Sequence, residues 1–381
     1  MRFRAIATIE SPVAVSARRA TGNDLATQPF LPGSTVRGAL AAAYLESGTA
    51  GDSDFQAMFL RELVRFSDLC KGGAVPWPLS ARQCQERDDH PVLDVLLGRA
   101  ARQFDTDLPI EHECQQMVAG NLCRAKVGLP NGFFSYNAAT KQYENVEVGT
   151  RRVAHAAVDP DLLRTRGGEF HSSRVIHAGQ TFEGFVQASG GGEAALQRFI
   201  GEGRTLYVGR GGSRGQGRIV LSLTPEVGDA VQQVAGRIEA LNRVAAERFA
   251  ALQDKIVFTC TLASATILLD EWLLSKPALE ATDIAPELEP YKPIAMTRPT
   301  DIAGWHAKAR LPKADAGALA AGSCFLFHRD AAPGEDRAAA YQSLAQVLVR
   351  AGEQGLGERW QEGFGEASFC LPFHYERAEG A

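Results

Sequence analysis

Tyr207-Val208-Gly209-Arg210-Gly211-Gly212-Ser213-Arg214-Gly215-Gln216-Gly217-Arg218-Ile219-Val220 sets five glycines among three arginines, between the apolar stretches Leu206–Val208 and Ile219–Leu223. Glycine permits positive φ and close backbone approach, so successive N–H groups can line a concave anion site. Arginine adds planar forks that match pairs of phosphate oxygens. The flanks decide the class of ligand. A nucleotide-binding loop runs from a strand into a helix, and no G-x-x-x-x-G-K-[ST] is present. Here the chain leaves as another β-like run, Arg218 to Thr224, which disfavours a nucleotide cofactor and favours a polymeric phosphate backbone. A solvated surface hairpin is the competing reading, because glycine-rich turns alone are weak signals.

A second anion-friendly segment lies near the amino terminus. Phe30-Leu31-Pro32-Gly33-Ser34-Thr35-Val36-Arg37-Gly38-Ala39-Leu40 reads as the start of a helix, with Ser34 or Thr35 able to cap it and Ala39 to Tyr44 good helix formers. Free N–H groups at the positive dipole end, with Arg37 in the first turn, suit an anion. Taken alone, the same residues describe an ordinary capped helix.

Outward from these two segments an α+β order emerges. Residues 2–16 form a first strand, 34–46 a helix and 54–66 a second helical pattern. Residues 67–149 are rich in Pro, Gly, Cys and polar residues and read as an insertion. A hairpin and strand at 171–187, a short helix at 193–201 and strands at 205–224 complete a β-α-β-β-α-β, ferredoxin-like (RRM-like) pattern. Residues 226–254 carry apolar side chains at helical spacing and read as a long helix packed against two domains. From Lys255 onward a second strand-led unit runs to 381. It closes with Arg359-Trp360-Gln361-Glu362-Gly363-Phe364-Gly365-Glu366, a reduced glycine loop with glutamates where the first has arginines. The expected organisation is domain 1–225 with its insertion, a connecting helix 226–254, and a diverged second ferredoxin-like domain 255–381.

Composition narrows the class. At 381 residues the chain is long enough for two cores, and 45% hydrophobic with 22% charged residues describes a globular protein. No apolar run approaches a membrane span and residues 1–20 lack a secretory h-region, so a cytoplasmic location is expected. The net charge is −5, yet residues 151–225 hold ten arginines, no lysines and six acids, a local balance of +4. A local arginine stripe fits nucleic acid held in one groove, with other faces left for partners.

Seven cysteines in a cytoplasmic setting argue against a disulfide framework. Cys260, Cys324 and Cys370 sit in apolar runs and read as core thiols. Cys70, Cys84, Cys114 and Cys123 fall in one segment that also holds His90 and His112. Tetrahedral zinc needs four such ligands; Cys84, His112, Cys114 and Cys123 are the preferred set, with Cys70 and His90 as substitutes. No C-x-x-C occurs, so free thiols in a loop-rich insertion are the alternative.

The two anion-friendly segments together resemble the RAMP superfamily of CRISPR-associated proteins, whose members carry a P-G-S-[ST]-[LVI]-[RK]-G helix start and a glycine-rich loop near the last strand of a ferredoxin-like domain. Pro32 to Gly38 match the first motif without a gap. Thr150-Arg151-Arg152-Val153-Ala154, then Gly168-Glu169-Phe170 and Ile176 to Phe185, resemble the family's central hairpin and following strand. The resemblance covers residues 1–225, and within the superfamily it is most like the Cas five-group subunit of type III-D effectors. It implies a non-catalytic subunit that binds the guide RNA at its 5′ repeat-derived tag. It also implies docking against the large polymerase/cyclase-like subunit and association with backbone RAMP subunits. The residues implied to contact RNA are Ser34, Thr35, Arg37, Arg151, Arg152, Arg174, Arg210, Gly211, Gly212, Arg214, Gly215 and Arg218. Some relatives are endoribonucleases. Metal-assisted cutting would use Asp24, and metal-free processing a histidine such as His155, His171 or His177.

Overall fold

Side chains of residues 2–9 alternate between solvent and interior, and the strand they make, β1 (Arg2–Ile9), runs down the middle of an antiparallel sheet. The computed structural model describes residues 1–16, 24–109, 113–118, 120–159, 164–306 and 311–376, without the side chains of 24, 155–171 and 305–306. Flanking β1 are β5 (Thr181–Ala188), with Phe3 opposite Val186, and β7 (Arg218–Pro225), with Ile9 opposite Ile219. Outside them lie β2 (Val64–Phe66) on β5 and β6 (Arg204–Tyr207) on β7. Two helices, α1 (Gly33–Leu45) between β1 and β2 and α2 (Gly191–Ile200) between β5 and β6, cover the inner face. Phe3, Ala5, Ala7 and Ile9 of β1 meet Val36, Leu40 and Leu196 there.

Between β2 and β5 the chain extends a long hairpin, β3 (Thr150–Asp159) and β4 (Arg164–Ile176), with a register shift between Ala156 and Val158. Its base is tied to the sheet by paired backbone bonds between Val13 and Ile176. Thus Arg151, Arg152 and Arg174 lie on a hairpin, as the sequence suggests.

A second antiparallel sheet follows. Its strands are β8 (Lys255–Leu262), β9 (Lys292–Met296), β10 (Cys324–Asp330) and β11 (Ala367–Phe369), in the order β9-β10-β8-β11. β8 takes the central place of β1, 253 positions on. α4 (Arg337–Gln354) joins β10 to β11 as α2 leads from β5 toward β7.

The two glycine loops repeat in detail. Gly209/Gly357, Gly211/Arg359, Gly215/Gly363 and Gly217/Gly365 are each 148 positions apart, and all eight residues have positive φ. Val208 N–H donates to Gly217 O and Leu356 N–H to Gly365 O. Arg210 N–H donates to Ala14 O, and Glu358 N–H to Ile267 O. A Cβ at Gly209 would lie 2.2 Å from Ala14 O and one at Gly357 2.1 Å from Ile267 O, so both positions require glycine. The loop frame is fixed by backbone contacts, which leaves the side chains between the glycines free to differ in charge.

Two expectations need correction. The helix expected over 226–254 is α3 (Ala230–Arg248), and its buried residues Ala235, Ile238, Leu241 and Ala245 all join the carboxy-terminal core. It packs on α4 and β8. Asn242 fixes it there, donating to Val257 O (2.8 Å) and accepting from Val257 N–H (2.9 Å). The insertion is also more than a loop. Its helix Leu96–Ala101 puts Leu96, Leu97, Ala100 and Ala101 into the same core. Trp77 stacks on Phe134 with ring centroids 4.3 Å apart, and Phe373 meets both. Buried His374 bonds Thr261 Oγ1 (2.7 Å) and Asp94 Oδ2 (3.2 Å), clasping the insertion to β8. Among the described residues no helix is long and apolar enough to cross a membrane.

Candidate nucleic-acid interface and metal centre

The glycine loop, the hairpin and the segment after β1 converge on a pocket of about 140 Å³. Ala14, Val15, Leu25 and Ala26 contribute an apolar floor, and Arg174, Arg210 and Arg214 its charge. The fold explains the convergence: Arg210 N–H is bound to Ala14 O, and Val13 is bound to the end of β4 two residues beyond Arg174. All three arginines are exposed, and none makes an ion pair or side-chain hydrogen bond among the described residues. Three guanidinium groups around one small concavity, with no carboxylate partner among the described residues, form an anion-accepting site.

The remaining expected contacts divide. Gly211 also lines the pocket, while Gly212 and Gly215 sit exposed on the loop at and beyond its short helical turn, Gly212–Arg214. Arg218 points elsewhere: its guanidinium pairs with Glu10 (2.8 Å). Arg151 is exposed on β3, and Arg152 Nε donates to Ser172 Oγ (3.1 Å) across the hairpin.

Ser34, Thr35 and Arg37 do not join the pocket. The helix begins at Gly33 with no side-chain cap from Ser34 or Thr35; instead the Asp68 carboxylate accepts from Gly33 N–H at 2.9 Å. Arg37 turns inward and donates to Phe59 O (2.6 Å), bracing the neighbouring helix Ser53–Phe59. The helix start is also covered by the carboxy-terminal glycine loop. A Cβ at Gly363 would lie 2.9 Å from Phe66 O and 3.0 Å from Asp68 Oδ1. A site that looks open in the sequence is therefore occupied by the protein's own carboxylate and its own second half.

That junction is electrostatically frustrated. Burial pushes the Asp68 carboxyl up to about 7; the Gly33 amide and Arg65 counteract it, and Glu366 adds to it. Glu366 is likewise raised by burial, against Arg65 and Arg2. Arg65, 1% exposed, donates to Gly352 O at 2.8 Å but leaves Nε and Nη2 without partners. A carboxyl whose folded pKa is raised binds its proton more tightly in the fold than in the unfolded chain. Its contribution is therefore most favourable below the unfolded value near 3.8 and is lost as pH rises toward about 7. Asp68→Asn is expected to stabilise the protein by ~1–2 kcal/mol at pH 8, with the gain fading toward pH 4. Urea unfolding across that range checks this, and a gain that grows toward acid pH would sink it.

Of the preferred metal ligands, Cys84, Cys114 and Cys123 lie among the described residues and come together. Cys84, His90, Cys114 and Cys123 bring their ligand atoms within 4.8 Å of one another. His112, in the preferred set, lies outside the described residues; His90, the named substitute, completes the cluster. Cys70 is not in it and is buried beside β5. Strand Ala81–Cys84 pairs with Val127–Gly128, Cys114 N–H is bound to Ala125 O and Cys123 N–H to Gln116 O, so short antiparallel pairings set the three cysteines. Cys84 Sγ lies 4.0 Å from Cys123 Sγ, and His90 Nδ1 3.1 Å from Cys114 Sγ. Tetrahedral zinc with bonds of about 2.3 Å to sulfur and 2.0 Å to nitrogen needs separations of this order. Burial opposes a thiolate at Cys84, but hydrogen bonds from the amides of Glu86 and Arg87 and from the Cys114 and Cys123 thiols together lower its pKa; burial pushes Cys114 up to about 11. The donor set and spacing fit a divalent soft-ligand metal.

Of the alternative catalytic residues, Asp24 lies in the short strand Asp24–Leu25, its backbone opposite Ser172 and next to pocket residues Leu25 and Ala26. The side chains of Asp24, His155 and His171 lie outside the described residues, and His177 is exposed beyond the end of β4.

No protein-family model matches the chain, and no curated protein matches it. Among solved structures, a chain of the type III-B Cmr-beta complex bound to cognate target RNA and AMPPnP is similar over 85% of this chain and 86% of its own, at 11% identity and a TM-score of 0.42. Pyrococcus furiosus Cmr4 (Cas7) is similar over 59% of this chain and 100% of its own, at 12% identity and a TM-score of 0.27. A chain of a type IV-B CRISPR complex is similar over 60% and 92%, at 12% identity and a TM-score of 0.28. Likenesses this slight assign no role to any residue.

Proposed function

We propose that this protein is a non-catalytic RAMP subunit of a CRISPR effector that holds guide RNA in the Arg174/Arg210/Arg214 pocket. The observation that carries the reading is that pocket: Arg174 of the hairpin meets Arg210 and Arg214 of the glycine loop, with no acid partner among the described residues. Single-stranded RNA suits it better than a small anion, because the hairpin and loop extend the exposed basic surface to Arg151 and Arg152. In the finer form of the proposal, the subunit is of the five group of a type III-D effector, grips the 5′ tag of the guide and docks the large subunit. The second sheet has the 4-1-3-2 strand order of ferredoxin-like domains, and the first has it once the edge strand β6 is set aside, which supports 1–225 and 255–381 as two such units. Zinc at Cys84, His90, Cys114 and Cys123 is proposed as a structural ion that fixes the insertion.

Tagging the chain, expressing it with its neighbouring genes and sequencing the RNA that co-purifies tests the reading. A discrete RNA with a constant 5′ tag supports it. Recovery with no RNA, or with RNA of random ends, overturns it. The position of Asp24 beside the pocket favours one second reading, a metal-dependent nuclease. Cleavage of bound RNA that Asp24→Ala abolishes would replace the scaffold reading.

A further inference from the structure

The carboxy-terminal unit holds counterparts of the residues that make the arginine pocket. Val13 pairs with Ile176, and its counterpart Thr266 pairs with Leu319. A second hairpin, Pro299–Ile302 with Ala316–Leu319, therefore stands beside the carboxy-terminal glycine loop as β3 and β4 stand beside the first. Arg174, two residues before Ile176, falls on Gly317. The 148-position offset between the loops carries Arg210 to Glu358, Arg214 to Glu362 and Gln216 to Phe364. The three pocket arginines thus become a glycine and two glutamates.

The chain's own side chains fill this second place. Phe364 packs on Ile267, the counterpart of Ala14, in a small apolar cluster with Ile302 and Ala318. The Arg359 guanidinium lies 4.8 Å from the centre of the Phe364 ring. The Glu362 carboxylate accepts from Lys313 Nζ through both oxygens (2.9 and 2.8 Å) and from Arg359 Nη2 (2.7 Å). Burial opposes its charge, and hydrogen bonds from the two cations together hold its pKa below the ordinary carboxylate value. Lys313 lies on the returning side of the second hairpin, as Arg174 lies on that of the first. One cation from a hairpin and one from a glycine loop therefore close on a single carboxylate, an arrangement that suits a phosphate equally well.

We infer, on the RNA reading of the first pocket, that Glu362 and Phe364 plug the second. The carboxylate stands where phosphate oxygens would sit, and the ring covers the apolar floor. Glu362 is then a specificity-determining residue, which confines RNA to one pocket per chain.

Fluorescence anisotropy with a single-stranded oligonucleotide tests the plug in a chain whose Arg174, Arg210 and Arg214 are already alanine. Glu362→Gln in that background is expected to raise affinity about tenfold. It should also steepen the salt dependence by about 1.4, from about 0.7 for each of two freed cations. Adding Phe364→Gln should raise affinity further, and adding Lys313→Ala should cancel the gain. Glu358→Gln removes the same charge from an exposed position of the same loop and is expected to change affinity by less than about twofold. Hydrogen exchange of the unmodified chain gives a second reading that needs no variant to fold. Bound oligonucleotide is expected to slow exchange at 209–217 and to leave 356–365 unchanged. Equal protection of both loops, or a folded Glu362→Gln chain that binds no better than Glu358→Gln, overturns the plug. An unmodified chain that binds no RNA counts against the function proposed above, and the Glu362→Gln gain then decides the plug on its own.

Discussion

Replacing Arg174, Arg210 and Arg214 together with alanine is expected to weaken single-stranded RNA binding by about 100–1000-fold at low salt. Each charge-assisted hydrogen bond to a phosphate contributes on the order of 1.5 kcal/mol, so three amount to ~4 kcal/mol before losses to solvent at an exposed site. The salt dependence should change as well. Single-stranded nucleic acid gives a slope of about −0.7 per neutralised phosphate, so losing three contacts should flatten the plot of log affinity against log salt by about two. Arg218→Ala is the internal control, because Glu10 already holds that guanidinium and the change should cost under about tenfold. Filter binding of an oligonucleotide at several salt concentrations reads both quantities. A triple variant with an unchanged slope would falsify the pocket as the RNA site.

Loss of the metal is expected to have the largest effect on stability. Structural zinc contributes apparent folding free energies of about 10–16 kcal/mol in small zinc-dependent domains, although a large core retains part of its structure without it. Here the cluster ties strand Ala81–Cys84 to the hairpin around Met117–Leu122, a region with few other buried residues. A strong chelator, or Cys114→Ser, is therefore expected to release the segments around Cys84–His90 and Cys114–Gly128 locally and to lower Tm by roughly 5–15 °C. Elemental analysis should find about one zinc per chain, and hydrogen exchange should locate the released segment. Chelation that leaves both Tm and exchange unchanged would mean the four side chains are merely neighbouring thiols and an imidazole. His90→Ala should weaken metal retention, measured as zinc per chain.

The glycine loops and the hairpin were legible because backbone geometry fixes their residues. Positive φ and close approach leave glycine little alternative at Gly209 and Gly357, so the motif survives even where the intervening charge is reversed. The arginines of the pocket were legible as a set except for Arg218, whose capture by Glu10 depends on the register of β1 against β7. The helix start was misread for a comparable reason. Ser34 and Thr35 look like caps, but Asp68, far along the chain, supplies the carboxylate and a loop more than three hundred residues away closes the site. Nothing local to Pro32–Gly38 records either contact. That His90 joins the cysteines was likewise hidden, because it depends on how the insertion's short strands fold Cys114 back against Cys84.

The internal contact at Asp68 is poor by ordinary standards: two crowded carboxyls, and a buried arginine with two nitrogens unpaired. Two separate chains would have to overcome those defects and the entropy of association as well. Here α3 and its flanking residues tether the halves, so the contact forms at an effective concentration in the millimolar range without any gain in intrinsic affinity. Fusion thus relaxes the demand on the interface. It leaves the chemistry of this surface freer to drift than that of the loop facing outward, which has no tether to hold its ligand.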